Sequence, residues 1–263
     1  MTILDQLADH ARKRVIADME ENSLDMMREL AKLKSSETGG PFAFEQALRK
    51  ENVSFICECK KASPSKGLIA PSFSYLEIAK EYETAGADCI SVLTEPKWFL
   101  GNDEYLKEIA EAVSIPCLRK DFTVDEYQIY QAKVLGASAV LPIRSILTED
   151  QMKDYIRICD SIGLSALVEA HDEQELKTAL NTGARIIGVN NRNLKDFSVD
   201  TDNSRRLREL IPPNVLFVSE SGVRTAEDVA ALRKIGADAV LIGETLMRES
   251  DKRAKLAELR GAV

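Results

Sequence analysis

The sequence predicts an α/β fold: a (β/α)8 TIM barrel with an N-terminal helical extension. From residue 53 onward, eight short apolar runs alternate with amphipathic segments at spacings of roughly 20–35 residues, the pattern of parallel βαβ units. A weak repeat, Ala85-Gly-Ala-Asp-Cys-Ile, Leu135-Gly-Ala-Ser-Ala-Val, Thr182-Gly-Ala-Arg-Ile-Ile and Ile235-Gly-Ala-Asp-Ala-Val, places a glycine helix stop directly before a strand run. The length, 263 residues, matches the roughly 250 residues that eight such units need. A doubly wound open sheet is the alternative, but no G-x-G-x-x-G follows the first strand.

Residues 1–50 read as a helical extension packing on a barrel of residues 51–263. Ile3, Leu4, Leu7, Ala8, Ala11, Val15 and Ile16 lie at helical spacing, and Leu24, Met27, Leu30 and Leu33 continue it after Glu20-Glu21-Asn22-Ser23. This is one long helix or a helix pair. Lys34 to Pro41 is a linker and Phe42 to Lys50 a short helix. The extension either lies over the barrel opening or docks a partner. Strands are expected at 53–59, 88–93, 115–119, 138–142, 164–169, 185–189, 215–219 and 238–242. Helices fill 73–85, 103–112, 125–135, 149–162, 172–182, 203–210 and 225–235, and 244–260 closes the chain.

The composition is 44% hydrophobic and 30% charged, enough for one large core. Net charge is −8 with acids and bases interspersed, and no basic stripe suits a nucleic acid. No apolar run approaches the roughly 18 residues of a membrane span, and Met1-Thr-Ile-Leu-Asp is no secretory signal, so a cytoplasmic protein is expected. Cys57, Cys59, Cys89, Cys117 and Cys159 form no CxxC, and His10 and His171 lie far apart in sequence. They read as small buried thiols in a reducing compartment, not a zinc site.

The first strand run orders the rest. Side chains alternate along a strand, so Ser54, Ile56, Glu58 and Lys60 share one face, and Val53, Phe55, Cys57 and Cys59 the other. Buried charges are costly unless paired or used. A structural salt bridge explains one such pair, but the device recurs. At the C-terminal strand ends, where this fold places its chemistry, Lys120 is in phase with Leu118, Glu169 with Leu167, Asn190 with Gly188 and Glu220 with Val218. Three carboxylates, two ammonium groups and an amide would share one pocket. Glu58, by strand phase, and Asp121, by adjacency, are the acids expected nearest Lys120. Glu58 either pairs structurally with Lys60 or Lys120 or takes part in chemistry, and Lys120-Asp121 also reads as a surface pair. Trp98 and Phe99 fit a packed loop or a ring-stacking wall. His171 reads as the start of the helix after the fifth strand. Lys133 and Lys153 fall on helix faces turned to solvent.

The last two strands carry a second signal. Ser221-Gly222 precedes Thr225-Ala-Glu-Asp228, a capping box, and Gly243 precedes the helical Glu244-Thr-Leu-Met. Glycines near helix starts let backbone N–H groups approach an anion, and the loops after strands seven and eight are this fold's usual phosphate site. Lys60 or Lys66 would add charge.

Several pieces resemble the indole-3-glycerol-phosphate synthase family of tryptophan biosynthesis. They are Glu58-x-Lys60-x-x-Ser63-Pro64-Ser65, Thr94-Glu95-x-x-x-Phe99-x-Gly101, Arg119-Lys120-Asp121-Phe122, Leu167-Val168-Glu169, Asn190-Asn191-Arg192-Asn193-Leu194, Ser219-Glu220-Ser221-Gly222 and Ile242-Gly243-Glu244-x-Leu246-Met247. They run from residue 58 to 247 in the family's order. The resemblance implies ring closure of an anilino-deoxyribulose phosphate to an indole, with loss of carbon dioxide and water. It implies a phosphorylated small-molecule substrate, no cofactor and no metal, and a chain that is a monomer or meets other enzymes of the pathway. Lys120 resembles the general acid, Glu169 the general base, and Lys60 the second lysine, which holds phosphate or carboxylate. Glu58, Asn190 and Glu220 resemble groups that orient these and the substrate. Arg192 resembles a residue near the anthranilate carboxylate. Ser63 falls in the matching E-x-K-x-x-S-P-S segment, Ser221, Gly222 and Gly243 resemble a phosphate cradle, and Phe99, Phe122 and Leu141 a ring wall. Two places depart from the pattern: Pro142 and Arg144 after strand four, and Glu244, a carboxylate beside the expected phosphate. Two other functions remain open on the residues alone. A Schiff-base aldolase would also use a strand-end lysine, and a non-catalytic scaffold would use the N-terminal helices.

Overall fold

The structure is a computed structural model and describes residues 2–37, 40–193 and 196–261. Leu194 of the fifth resembling piece and two residues of the 34–41 linker lie outside them. Eight parallel strands close into a barrel: β1 Ser54–Cys59, β2 Cys89–Leu93, β3 Cys117–Lys120, β4 Ala139–Val140, β5 Ser165–Ala170, β6 Ile186–Asn190, β7 Leu216–Glu220 and β8 Ala239–Ile242. Each pairs with the next, and β8 returns to β1 with Ser54 opposite Ala239 and Cys57 opposite Ile242. β4 is short because Pro142 has no N–H to extend the ladder. Pro142 still accepts from the Glu169 N–H at 2.9 Å.

The strand alternation sorts the core into two clusters. Ile56, Cys89, Leu118, Ala139, Leu167, Ile186, Val218 and Leu241 fill the barrel interior. Phe55, Cys57, Val92, Cys117, Val168, Ile187, Phe217 and Val240 pack outward against the helices. Fully buried residues such as Leu118 and Leu167 each contribute about 1.5–3 kcal/mol. All five cysteines are buried free thiols, four on strands.

The N-terminal segment forms a helix pair, α1 Ile3–Glu21 and α2 Leu24–Glu37, followed by α3 Ala43–Leu48. The break falls at Asn22-Ser23, where Ser23 Oγ accepts from the Met26 N–H at 3.3 Å. Leu7, Ala8 and Ala11 of α1 join the interior cluster at the barrel mouth. Helices α4 Tyr75–Thr84, α5 Asp103–Ala112, α6 Glu126–Val134, α7 Glu149–Ser161, α8 Glu173–Asn181, α9 Asp202–Arg208 and α10 Ala226–Lys234 alternate with the strands. The closing segment is not one helix. It divides into α11 Glu244–Met247 and α12 Lys252–Arg260 because Asp251 caps the second, its Oδ1 accepting from the Ala254 N–H at 2.8 Å. Lys133 is not solvent-facing as its sequence phase suggests. α2 lies across α6, with Arg28 bridging to Glu126 and stacking on Tyr130, and Lys133 is buried, its pKa lowered by desolvation. Among the described residues no helix is long and apolar enough to cross a membrane.

Candidate active site

A cavity of about 870 Å3 opens at the C-terminal end of the barrel. Its floor carries Glu58, Lys60, Lys120, Glu169, Asn190 and Glu220, contributed by β1, β3, β5, β6 and β7 or the residue after them. They meet because each continues the inward phase of its strand. Lys60 Nζ lies 2.6 Å from Glu58 Oε1. Lys120 Nζ donates to Glu169 Oε2 at 3.2 Å and lies 3.6 Å from Glu220 Oε2. Asp121, expected beside Lys120, turns the other way and is held by Arg14, Arg119 and Thr94. Neighbouring strand residues point to opposite faces, so adjacency in sequence separated them.

Burial and charge set the protonation of this cluster. Burial opposes a charge on Lys120, but Glu169, Glu220 and Glu58 outweigh it and raise its pKa above the usual lysine value. Burial likewise favours the neutral form of Glu169, yet Lys120 and His171 pull its carboxyl well below the usual range. Glu220 goes the other way. Burial dominates, the Glu169 and Glu58 charges add to it, and its pKa is pushed up to about 8. Burial thus favours the protonated form of Glu220, while the neighbouring cations favour the ionised form of Glu169. Glu220 Oε1 is buried without a hydrogen-bond partner.

Two glycines make room for these carboxylates. A Cβ on Gly188 would come within 2.2 Å of Glu220 Oε1, and one on Gly243 within 2.4 Å of Glu58 Oε1 and 2.9 Å of Lys60 Nζ. An isolated glycine inside a strand marks such a close approach, a signal present in the sequence at Gly188. Gly243 thus serves the Glu58–Lys60 pair as well as the rim.

The apolar wall consists of Phe99, Phe122, Leu141 and Ile143, with Ile3, Leu4 and Leu7 of α1. Phe99 and Phe122 stand 6.2 Å apart, centroid to centroid. Buried Glu95 shapes the loop that presents Phe99 by accepting from the N–H groups of Lys97, Trp98 and Phe99 at 2.7–3.0 Å. Trp98 takes the packed-loop alternative, edge-on to His10 at 5.4 Å. The departure after β4 leaves the wall apolar. Leu141 and Ile143 are buried, and Arg144 donates to the Leu147 carbonyl at 2.8 Å.

The other rim is polar. Ser221 and Gly222 both have left-handed backbones, φ 66° and 100°. Ser221 Oγ donates to Asn190 Oδ1 at 2.9 Å, and Thr245 Oγ1 ties the two rim loops by donating to the Val223 carbonyl at 2.7 Å. Ser63 belongs to a small hairpin, 62–63 with 67–68, that also lines the cavity. Arg192 lines it too, one Nη donating to the Phe197 carbonyl at 3.2 Å. The Glu244 carboxylate is offset by two cations, Arg248 Nε at 3.1 Å and Lys66 Nζ at 3.9 Å. Sequence reading missed His171 and Asn191. His171 is not merely a helix start, for its Nε2 lies 3.3 Å from Glu169 Oε1. Buried Asn191 donates to the Ser221 carbonyl at 2.9 Å and so holds the left-handed turn.

The model of the family described as indole-3-glycerol phosphate synthase matches residues 4–259. The chain belongs to that family. Among its relatives is the indole-3-glycerol phosphate synthase of Ruminiclostridium cellulolyticum, 58% identical over 99% of this chain and 100% of the relative. That of Leuconostoc mesenteroides subsp. mesenteroides is 49% identical, covering 98% and 99%. Solved structures share the barrel at far lower identity. The 3-hexulose-6-phosphate synthase of Salmonella typhimurium superposes with a TM-score of 0.66 at 13% identity, covering 80% of this chain and 97% of that one. A chain of the Pyrococcus furiosus tryptophan synthase complex gives 0.60 at 18%, covering 80% and 98%. These two likenesses speak for the fold alone. The N-terminal helices lie outside the barrel proper, yet the family match begins at residue 4, within the helix that supplies Leu4 and Leu7 to the cavity wall.

Proposed function

We propose that this chain converts 1-(2-carboxyphenylamino)-1-deoxyribulose 5-phosphate to indole-3-glycerol phosphate, carbon dioxide and water. Family membership supplies the reaction. The observation that carries it to particular residues is a lysine, Lys120, held between two buried carboxylates whose pKa values are shifted in opposite directions, at the foot of an apolar wall. Ring closure forms a bond between the anthranilate carbon bearing the carboxylate and the ribulose ketone carbon. The ketone oxygen gains a proton as that bond forms, and Lys120 is the acid placed to supply it. Loss of carbon dioxide returns the bonding electrons to the ring. The hydroxyl on the former ketone carbon then leaves as water, taking a proton from a lysine ammonium of the cavity, Lys60, that solvent replenishes, and the proton lost from the adjoining carbon in forming the double bond goes to Glu169. Glu220 and Asn190 orient substrate hydroxyls. Glu58 orients Lys60, which reaches toward the phosphate or carboxylate.

Phe99, Phe122 and Leu141 flank the aromatic ring, with Arg192 and Ser63 at the polar edge. The phosphate lies against the backbone at Ser221, Gly222 and Gly243, near a helix start and near Lys60. The support is the shared cavity lining and the short Lys60 to Gly243 approach. A Schiff-base reading is disfavoured because it needs a neutral amine, and the neighbouring carboxylates, Glu169 above all, hold Lys120 charged. Mixing purified protein with the anilino-deoxyribulose phosphate should produce indole fluorescence with one carbon dioxide per product. A protein that gives neither, or whose Lys120 is trapped by borohydride with substrate, would refute this assignment.

A further inference from the structure

Glu169 is buried between two cations, and the chemistry above uses only one. Its Oε2 accepts from Lys120 at 3.2 Å, while its Oε1 lies 3.3 Å from His171 Nε2. The other ring nitrogen, Nδ1, is 3.1 Å from Glu175 Oε2, and the same oxygen accepts from the His171 backbone N–H at 2.9 Å. Ser145 Oγ donates to Glu175 Oε1 at 2.5 Å, and Asn203 Nδ2 donates to the His171 carbonyl at 2.9 Å. Residues from the segments after β4 and β6 and from α8 thus fix the ring and its backbone. Imidazole with a carboxylate at each nitrogen favours the form in which both nitrogens are protonated. Burial opposes that charge, but Glu169 and Glu175 outweigh it and push the pKa up to about 10.

Lys120 by itself does little to choose between its two carboxylates, at 3.2 and 3.6 Å. What differs is the second oxygen of each. That of Glu169 lies at ion-pair distance, 3.3 Å, from His171 Nε2, which has no other partner among the described residues, whereas that of Glu220 faces the space above Gly188 with no cation beside it. The remaining charged group bearing on the pair is Glu58, itself tied to Lys60 at 2.6 Å.

We propose that His171 is a positioning residue for Glu169: it stands at one carboxylate oxygen so that the other faces Lys120 and the substrate, and a positive charge on its ring favours the ionised form of Glu169. The proposal rests on reading Glu169 as the base. Glutamine at 171 keeps an amide near Glu169 and cannot carry the charge. In His171→Gln, Glu169 should become harder to ionise. The acidic limb of the kcat/KM profile should then move up by at least one pH unit. At a fixed pH on that limb turnover should fall about tenfold, with KM changed less than threefold. Glu175→Gln weakens the same cation from its other side and should move the limb the same way by less. A limb unmoved in both variants overturns the proposal.

A second measurement does not depend on catalysis. The chain has two histidines, so His10→Gln assigns the ring resonances of His171. Its ring should stay protonated past pH 8, and in Glu169→Gln its midpoint should drop by at least one unit. A His171 ring that titrates like free imidazole in the unmodified protein overturns the proposal whatever the kinetics. If Glu169→Gln keeps full turnover, the base assignment falls and takes the proposal with it. The ring would still titrate high, so that failure is distinct from loss of the His171 contact.

Discussion

Arg119, Lys120 and Asp121 are consecutive, buried or nearly so, and charged, yet they belong to two different electrostatic systems. Arg119 and Asp121 face the helices. Arg119 donates to Thr94, to the Gln128 carbonyl, to Gln131 and to Asp103 at 2.7–3.3 Å. Asp121 accepts from both Arg14 terminal nitrogens, from Thr94 and from the Phe122 N–H at 2.6–3.0 Å. Burial would raise the Asp121 pKa, but Arg14 and Arg119 hold it below the usual range. Most groups of this network are paired, Arg14 Nε being the exception, and it fastens α1 to the barrel. Lys120 faces inward and has one hydrogen bond to Glu169, a looser ion pair to Glu220, and a neighbour with an unpartnered oxygen. The difference teaches that a buried charge is not diagnostic in itself. The densely paired cluster that ties helices to the barrel is the structural one, and the cluster that opens on the cavity, with Lys120, Glu169 and Glu220, is the one within reach of a substrate.

The largest expected effect tests that division directly. Lys120→Met should reduce turnover about 10²–10⁴-fold, the usual cost of removing a positioned acid. Its thermal midpoint should fall less than that of the next variant, because burial favours the protonated form of Glu220 and Glu169 keeps His171. Near-full turnover in Lys120→Met would place the chemistry elsewhere. Asp121→Ala takes the carboxylate partner from half-buried Arg14 and leaves Arg119 to its other partners, and breaking such a pair costs about 3–5 kcal/mol. Denaturant unfolding should register that loss, and an unchanged midpoint would mean that the Arg14–Asp121 pair does not help to hold α1 on the barrel.

Glu220→Gln probes the unsatisfied side through pH. A carboxyl with a folded pKa of about 8 binds its proton more tightly folded than unfolded. The protein therefore loses stability from this group as pH rises from the unfolded value, roughly 4.3, toward 8. Relative to the unmodified protein, Glu220→Gln should gain in melting temperature between pH 5 and pH 8. A difference that is flat with pH would mean Glu220 is ionised throughout. Two smaller effects bracket the comparison. Glu244→Gln removes the partner of Arg248 and Lys66, and freeing these rim cations should lower KM by less than about fivefold, the scale of an exposed pair. A raised KM would mean that Glu244 itself helps bind substrate. Lys153→Ala breaks only an exposed pair with Glu149 and should change stability by about 0–1 kcal/mol. Lys133 cannot serve as this control, since it is buried.

Period-two alternation, glycine stops and chain length determined the barrel, because a strand's two faces must meet different surroundings and the sequence records which residue meets which. The same alternation determined that Glu58, Lys120, Glu169, Asn190 and Glu220 point inward at one rim. Local capping was legible too, as at Thr225-Ala-Glu-Asp228. The tertiary structure alone decided which charges pair. Lys120 takes Glu169, 49 residues away, over adjacent Asp121, and Asp121 takes Arg14 from 107 residues upstream. It also decided that α2 buries Lys133, that Asp251 divides the last helix, and that His171 reaches Glu169. Side-chain phase is a property of one strand. Ion pairing depends on distance in space and on how much water is left, and both are settled only when strands and helices far apart in the chain come together.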